Sequence, residues 1–223
     1  MTYQHRYLDG SPSALPVGKA VCVGRNYLEH IKELNNPVPE TPILFMKPGT
    51  ALVGLSEPLR LPAGQGACHH EVELAVLISQ PLRQADSASA RRAVAGYAVA
   101  LDLTLREVQD ELKRQGHPWE RAKAFDGSCP ISPFLPPGEL ADPQDCDLSL
   151  TVNGELRQHG NTRQMITGVF DLLALMSRCF TLLPGDVALT GTPAGVAALR
   201  AGDRLVLELA GHRFTTQVLT GSL

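Results

Sequence analysis

An α+β fold rich in strands is the architecture that this chain of 223 residues predicts. Three observations carry that expectation. Strand-like apolar runs outnumber helix-like ones, and several are joined by hairpin-type turns. The 20 glycines and 17 prolines are spread along the chain as turn punctuation, so no linker announces a domain boundary.

The elements follow in order. Val21-Cys22-Val23 reads as a short strand. Asn26 to Asn35 reads as a helix, with Leu28, Ile31 and Leu34 at helical spacing and Pro37, Pro39 and Pro42 beyond its end. Ile43 to Met46 is a strand closed by a Lys47-Pro48-Gly49 turn. Residues 70 to 79 form the first long strand. Ala85 to Ala95 is read as a helix, and Gly96 to Thr104 as the second long strand. Leu105 to Gln115 is a helix stopped by Gly116-His117-Pro118. Residues 117 to 147, with six prolines, read as a long irregular excursion, and such loops are more often functional than idle. Asn153-Gly154 between two apolar runs signals a hairpin with a type I′ turn. Phe170 to Cys179 is an apolar-faced helix, and Asp186 to Thr190 a strand that enters Gly191-Thr192-Pro193-Ala194-Gly195. Arg204 to Leu209 and Phe214 to Leu219 close the chain as strands around Gly211-His212.

Composition excludes several classes of function. Hydrophobic residues make up 43% and charged residues 19%, as in an ordinary globular protein. A net charge of −3 and the lack of a basic cluster argue against nucleic acid and anionic membrane as partners. The five cysteines are widely spaced with no CxxC pair, which argues against a disulfide framework and a structural zinc site. Reduced thiols and a start without an apolar leader fit a cytoplasmic protein.

The chemistry concentrates in a few polar residues set in apolar surroundings. Glu71 and Glu73 lie two apart in His69-His70-Glu71-Val72-Glu73-Leu74-Ala75-Val76, so both carboxylates face one side of a sheet. Asp102 interrupts the second apolar run. Three carboxylates there are costly to desolvate unless a cation or hydrogen-bond donors compensate them. An all-oxygen set suits Mg2+ or Mn2+ better than zinc; the competing reading is three solvated or salt-bridged acids. His30 and Glu33 share a helix face, so the carboxylate can orient the imidazole as a general base, although such pairs are ordinarily solvated. Arg106 and Gln109 share a face of the helix after Asp102 and can offer donors to a substrate carboxylate. Lys123, among small and apolar neighbours, can pair with the acids or stabilise negative charge; the plain alternative is a surface lysine. At Thr190-Gly191-Thr192-Pro193 backbone N–H groups and hydroxyls can meet an anion. Of His69 and His70, at least one is read as donating to a carboxylate.

Taken together these segments resemble the fumarylacetoacetate hydrolase family. The resemblance is carried by Val23-Gly24-Arg25-Asn26-Tyr27 with His30 and Glu33, Phe45-Met46-Lys47-Pro48, His69-His70-Glu71-Val72-Glu73, Asp102, Arg106 with Gln109, Lys123-Ala124-Phe125-Asp126, Val152-Asn153-Gly154-Glu155 and Thr190-Gly191-Thr192-Pro193. It runs from about residue 17 to the C-terminus and is nearest to short acylpyruvate hydrolases, some of which resemble oxaloacetate decarboxylases. It implies an N-terminal extension over 1–16, a single catalytic domain over 17–223, and a mixed β-sandwich roll with peripheral helices, usually homodimeric. By the same resemblance Glu71, Glu73 and Asp102 hold one Mg2+, with Mn2+ as the other candidate. His30, Glu33 and Lys123 are catalytic, and Arg25, Arg106, Gln109 and Thr192 bind substrate. The expected reaction is hydrolysis of a C–C bond in small 2,4-dioxo acids to pyruvate and a carboxylic acid. Oxaloacetate decarboxylation and isomerisation or decarboxylation of 2-hydroxy-dienedioates use the same enolate chemistry and stay open, because a fold does not fix a reaction. A metal-dependent 2-oxo acid binding protein is the reading without turnover.

Overall fold

The structure, a computed structural model, describes residues 3–219. Its elements are β1 (Ala20–Gly24), α1 (Leu28–Glu33), β2 (Ile43–Lys47), β3 (Leu52–Gly54), β4 (Cys68–His70), β5 (Val72–Ile78), α2 (Ser87–Arg92), β6 (Val94–Leu101), β7 (Thr104–Leu105), α3 (Arg106–Gln115), α4 (Glu120–Lys123), β8 (Cys129–Ile131), β9 (Asp147–Val152), β10 (Glu155–Asn161), α5 (Val169–Cys179), β11 (Val187–Leu189), β12 (Ala197–Ala198), β13 (Arg204–Leu209) and β14 (His212–Gln217). Strands dominate, as expected for a β-rich α+β fold.

A seven-stranded sheet in the order β2-β1-β11-β5-β6-β8-β3 forms the body, beside a four-stranded sheet β10-β9-β13-β14 and a three-stranded one, β12-β4-β7. The pairs β1/β11 and β3/β8 are parallel and the remaining pairs antiparallel, so the sheet is mixed. Every residue of β5 is buried, because apolar layers cover both of its faces. Leu74, Val76 and Ile78 face a large layer that includes Leu172, Leu173 and Met176 of α5 and Leu148, Leu150, Leu205 and Leu207 of the four-stranded sheet. Ala75 and Leu77 face a second layer in which small residues recur: Ala20, Cys22, Ala98, Ala100 and Cys129. Small side chains let strands approach closely on that side. Glu73 shares their parity, and so belongs to the same face.

Several elements differ from the sequence expectation for identifiable reasons. The strand over 70–79 is two strands, split at Glu71, and the strand over 96–104 stops at Leu101 and resumes at Thr104. Both breaks fall where the chain leaves the large sheet for the small one. The helix over 85–95 is only Ser87–Arg92: Asp86 caps its start by accepting from the Ser89 N–H at 2.7 Å, and Val94-Ala95 join β6. The helix from Asn26 shrinks to α1, six residues without a side-chain cap. Lys47 is the last residue of β2 and completely buried, not part of an exposed turn. Residues 117–147 are not a plain loop, since they contain α4 and β8. The Asn153-Gly154 hairpin has both turn residues at positive φ, 53° and 83°, the signature of the expected turn type.

Among the described residues no helix is long and apolar enough to cross a membrane. The five cysteines are free, four of them buried.

The segment before β1 is fixed to the body. His5 Nε2 lies 3.0 Å from the Gly185 carbonyl oxygen, and the Phe134 N–H donates to Arg6 O at 2.7 Å. Gly185 has φ 89°, and a Cβ there would overlap the Pro16 carbonyl oxygen. Gly185→Ala is therefore expected to destabilise the fold by roughly 2 kcal/mol or more, from left-handed strain plus displacement of that segment. Denaturant unfolding checks this; an unchanged midpoint would show that the segment yields freely.

Candidate metal centre and its cleft

The β5–β6 register builds the acidic cluster. Val72 pairs with Leu101 and Glu73 with Ala100, and the Asp102 N–H donates to Glu71 O at 2.8 Å. Glu71 and Asp102 thus continue the ladder as opposite residues, and Glu73 is the diagonal neighbour of Asp102 on the same face. One ligand atom from each of Glu71, Glu73 and Asp102 falls within 4.8 Å of the others, and all three residues are buried.

Cations gather around this cluster. Lys123 Nζ donates to Glu71 Oε2 at 2.9 Å and to Asp102 Oδ2 at 2.6 Å. Arg106 Nη2 bonds Glu71 Oε1 and Arg106 Nη1 donates to Gln109 Oε1 at 2.7 Å. Lys47 Nζ lies 2.8 Å from Asp102 Oδ1, an ion pair whose angles make no directed hydrogen bond, so that oxygen keeps lone pairs free. Lys47 also donates to the Ser128 carbonyl at 3.2 Å and to Lys123 O, which fixes α4 and Lys123 over the acids.

The three carboxylates are compensated unequally. Burial works to raise the Glu71 pKa, but Lys123, Arg106 and His30 outweigh it and hold it below the ordinary value. Burial works against the Lys123 ammonium, yet Asp102 and Glu71 outweigh that and raise its pKa. Among the described residues Glu73 has no ion-pair partner, although Lys123 also pulls its pKa down. Its Oε2 accepts the Gly191 N–H at 2.7 Å, while burial, Asp102 and Glu71 together push its pKa well above the ordinary range. An oxygen-only set with one carboxylate left short of positive charge, and an Asp102 oxygen without a directed partner, suits a hard divalent cation. The same set does not resemble a zinc site, which favours His and Cys.

The cleft above the cluster is lined by His30, Arg106, Gln109, Lys123, Thr192 and Arg25, among others. His30 is carried by α1, which follows β1, and its Nδ1 lies 3.3 Å from Glu33 Oε2. Glu33 Oε1 accepts from the Gly195 N–H at 3.0 Å, so this carboxylate ties α1 to the loop after β11. Burial pushes the His30 pKa below the ordinary value, although Glu71 and Glu33 pull the other way, so its imidazole is neutral and basic at neutral pH. Arg25, at φ 62°, reaches the rim, where its Nη2 donates to Asn36 Oδ1 at 2.8 Å. Among the described residues the buried Arg106 Nε has no partner, which makes it a donor available to an anion.

The structure thus brings together every residue singled out from the sequence as catalytic, substrate-binding or metal-ligating. Among the described residues the expected donation by His69 or His70 to a carboxylate is not found. His70 Nδ1 lies 2.9 Å from Gln158 Oε1, and His69 Nδ1 has no partner among them. Gln158 occupies the position beside His70 that a carboxylate would need.

Three residues at the site carried no role in the sequence reading. Lys47 had a signal: it shares strand parity with buried Phe45. Asn26 donates through Nδ2 to the carbonyls of Thr167 (3.0 Å) and Thr190 (2.9 Å), anchoring the start of α1; an asparagine just before a helix looks like a cap and hides this. Gln158 gave no signal, because a β-bulge turns it inward.

Comparison with known proteins is consistent across the chain. The family profile described as fumarylacetoacetate (FAA) hydrolase C-terminal matches residues 19–219. Oxaloacetate tautomerase YcgM of Escherichia coli (strain K12) is 56% identical over 218 residues, 97% of this chain and 100% of that protein. The mitochondrial oxaloacetate tautomerase FAHD1 of Bos taurus is 44% identical over 191 residues, 86% of each chain. The crystal structure of fumarylpyruvate hydrolase from Pseudomonas aeruginosa in complex with Mn2+ and pyruvate superposes with a TM-score of 0.92 at 36% identity, covering 99% of this chain and 97% of that one.

Titrating Mg2+ or Mn2+ into the metal-free protein should release protons. The raised Glu73 pKa means that its carboxyl holds a proton before the ion arrives and loses it afterwards. Apparent affinity therefore rises with pH, by up to about tenfold per unit, and falls as pH drops. Calorimetry in two buffers of different ionisation enthalpy measures the proton count, which Glu73→Gln should abolish.

Proposed function

The chain belongs to the fumarylacetoacetate hydrolase family, and on that premise we propose that it interconverts the keto and enol forms of oxaloacetate. The observation that carries this reading is a neutral, buried His30, backed by Glu33, facing a cleft whose floor is the Glu71/Glu73/Asp102 cluster. The 56% identity to a tautomerase that the chain covers end to end supports it.

A divalent ion held by Glu71, Glu73 and Asp102, Mg2+ or Mn2+, would act as a Lewis acid that stabilises negative charge on a 2-oxo oxygen. The residues of this chain supply the rest. Gln109 and Thr192, with the free Arg106 Nε, offer donors to substrate carboxylates. Lys123 adds a fixed positive charge next to the developing oxyanion. His30 Nε2 takes a proton from C3 of the keto form and delivers it to the 2-oxo oxygen, which completes the enol and leaves the ring neutral; the reverse direction carries it from that oxygen back to C3. Glu33 accepts from Nδ1, which orients the ring and stabilises the imidazolium while it carries the proton. Because no bond between heavy atoms forms or breaks, one mobile proton suffices.

Hydrolysis of a 2,4-dioxo acid is the second reading, favoured by the likeness to a fumarylpyruvate hydrolase with Mn2+ and pyruvate. There His30 would take its proton from water instead of carbon. Decarboxylation of oxaloacetate needs neither step. A small 2-oxo acid is the proposed partner in every case, and a cytoplasmic homodimer the proposed assembly.

In D2O with Mg2+, oxaloacetate should exchange its C3 hydrogens faster with the protein than without it, and pyruvate should accumulate no faster than in the protein-free control. Pyruvate plus acetate from acetylpyruvate would instead establish the hydrolase, and pyruvate from oxaloacetate above that control the decarboxylase. His30→Asn should slow exchange by about 10²–10⁴-fold. Glu33→Gln should slow it too, with Mg2+ binding unchanged by calorimetry. Because burial lowers the His30 pKa, the base stays neutral below the usual histidine value, so the rate should fall only on the acid side of about pH 6.5, as a pH–rate profile would show.

A further inference from the structure

Gln158 lies in β10 at the register shift between Leu156 and Gln158. Regular alternation would leave it on the exposed side shared with Leu156; the bulge instead turns it inward, where it is 1% exposed. There its carboxamide meets four partners. Oε1 accepts the Val72 N–H at 3.0 Å and lies 2.9 Å from His70 Nδ1. Nε2 donates to the Pro193 carbonyl at 2.8 Å and lies 2.8 Å from Thr192 Oγ1.

Two of these partners allow a single polarity. A backbone N–H only donates and a backbone carbonyl only accepts, so the amide cannot be reversed. The other two roles follow from that constraint. His70 Nδ1 must carry its hydrogen. Thr192 Oγ1 must accept from Nε2, so its own hydrogen is left to donate elsewhere. Among the described residues, the remaining acceptor is Pro193 O at 3.4 Å, long for a hydroxyl donor. Thr192 lines the cleft with Gln109 and Lys123.

The packing holds this arrangement without slack. A Cβ on Gly195 (φ 103°) would overlap the Arg157 carbonyl oxygen, and one on Gly160 would come within 2.7 Å of Pro193 Cβ. The bulge and the loop after β11 are therefore in direct contact, and Thr192 cannot turn away from Gln158 without moving both.

We infer that Gln158 is a positioning residue that commits the Thr192 hydroxyl to donate into the cleft, toward the carboxylate of a bound 2-oxo acid. The inference rests on the substrate class proposed above but not on the reaction. It extends the site to a strand outside the large sheet and gives the β10 bulge a purpose.

Oxalate binding to the Mg2+-loaded protein, measured by calorimetry for wild type, Thr192→Val, Gln158→Glu and the double variant, tests it. A carboxylate at 158 can only accept, so it draws the Thr192 hydrogen back out of the cleft. Each single change should weaken oxalate by about ten- to hundredfold. In the Thr192→Val background Gln158→Glu should then weaken it little further. Equal losses in both backgrounds would mark a bystander charge effect and overturn the inference, as would failure of oxalate to bind wild type. Nitrogen NMR of the wild-type imidazoles, without metal, gives a second reading that needs no variant: neutral His70 should be protonated at Nδ1, and a bare Nδ1 would overturn the wiring. Neither measurement involves turnover. Inactivity toward oxaloacetate with both results intact would therefore remove the tautomerase reading alone.

Discussion

The poorly compensated burial of Glu73 is the constraint on which the rest of the structure depends. A carboxylate taken out of water must be compensated or protonated. Glu71 and Asp102 have Lys123, Arg106 and Lys47 around them, whereas Glu73 has one backbone N–H and two like charges. Three basic side chains are enough to let the chain fold around its acids, and they leave a deficit that a divalent cation would meet. With that ion bound the pocket carries an excess of positive charge, which suits a doubly charged dicarboxylate.

The fold produces this by interrupting its own ladder. β5 and β6 are paired and buried, yet both chains leave the large sheet at the acidic end, at Glu71 and Asp102. Had either strand continued regularly, the opening into which the carboxylates project would be closed by the next pair of side chains. β11 ends at the same level, so that Gly191 meets Glu73 and Thr192 enters the cleft. Asn26 then ties α1 to Thr190, and the His30 imidazole is placed relative to the floor through backbone carbonyls.

Much of this was legible from residue order. Acids in apolar runs announce themselves because burial makes them costly, and strand parity put Glu71 and Glu73 on one face. The Asn153-Gly154 hairpin followed from turn chemistry. What stayed hidden depended on events with no local signature. The strand breaks at Glu71 and Asp102 arise from competition between two sheets. Lys47 looked like a turn residue because Pro48 and Gly49 follow it, and its burial comes from long-range contacts to Asp102 and Ser128. Gln158 sits in a polar stretch, and only the bulge makes it internal. The helix over 85–95 was overextended because the β-branched Val94 is claimed by tertiary pairing with β5.

The brevity of α1 has its own meaning. Six residues are too few to stay helical in water, no side chain caps the segment, and only His30 and Ile31 in it are buried. Its shape is borrowed from Asn26 at one end and from the Glu33–Gly195 contact at the other. Such a segment belongs to the low end of the stability spectrum within one molecule, able to come undone while the β5–β6 platform stays intact. Local unfolding of α1 would lift the imidazole out of the cleft while Glu71 and Asp102 keep their arginine and lysine partners, so the floor outlasts its cover.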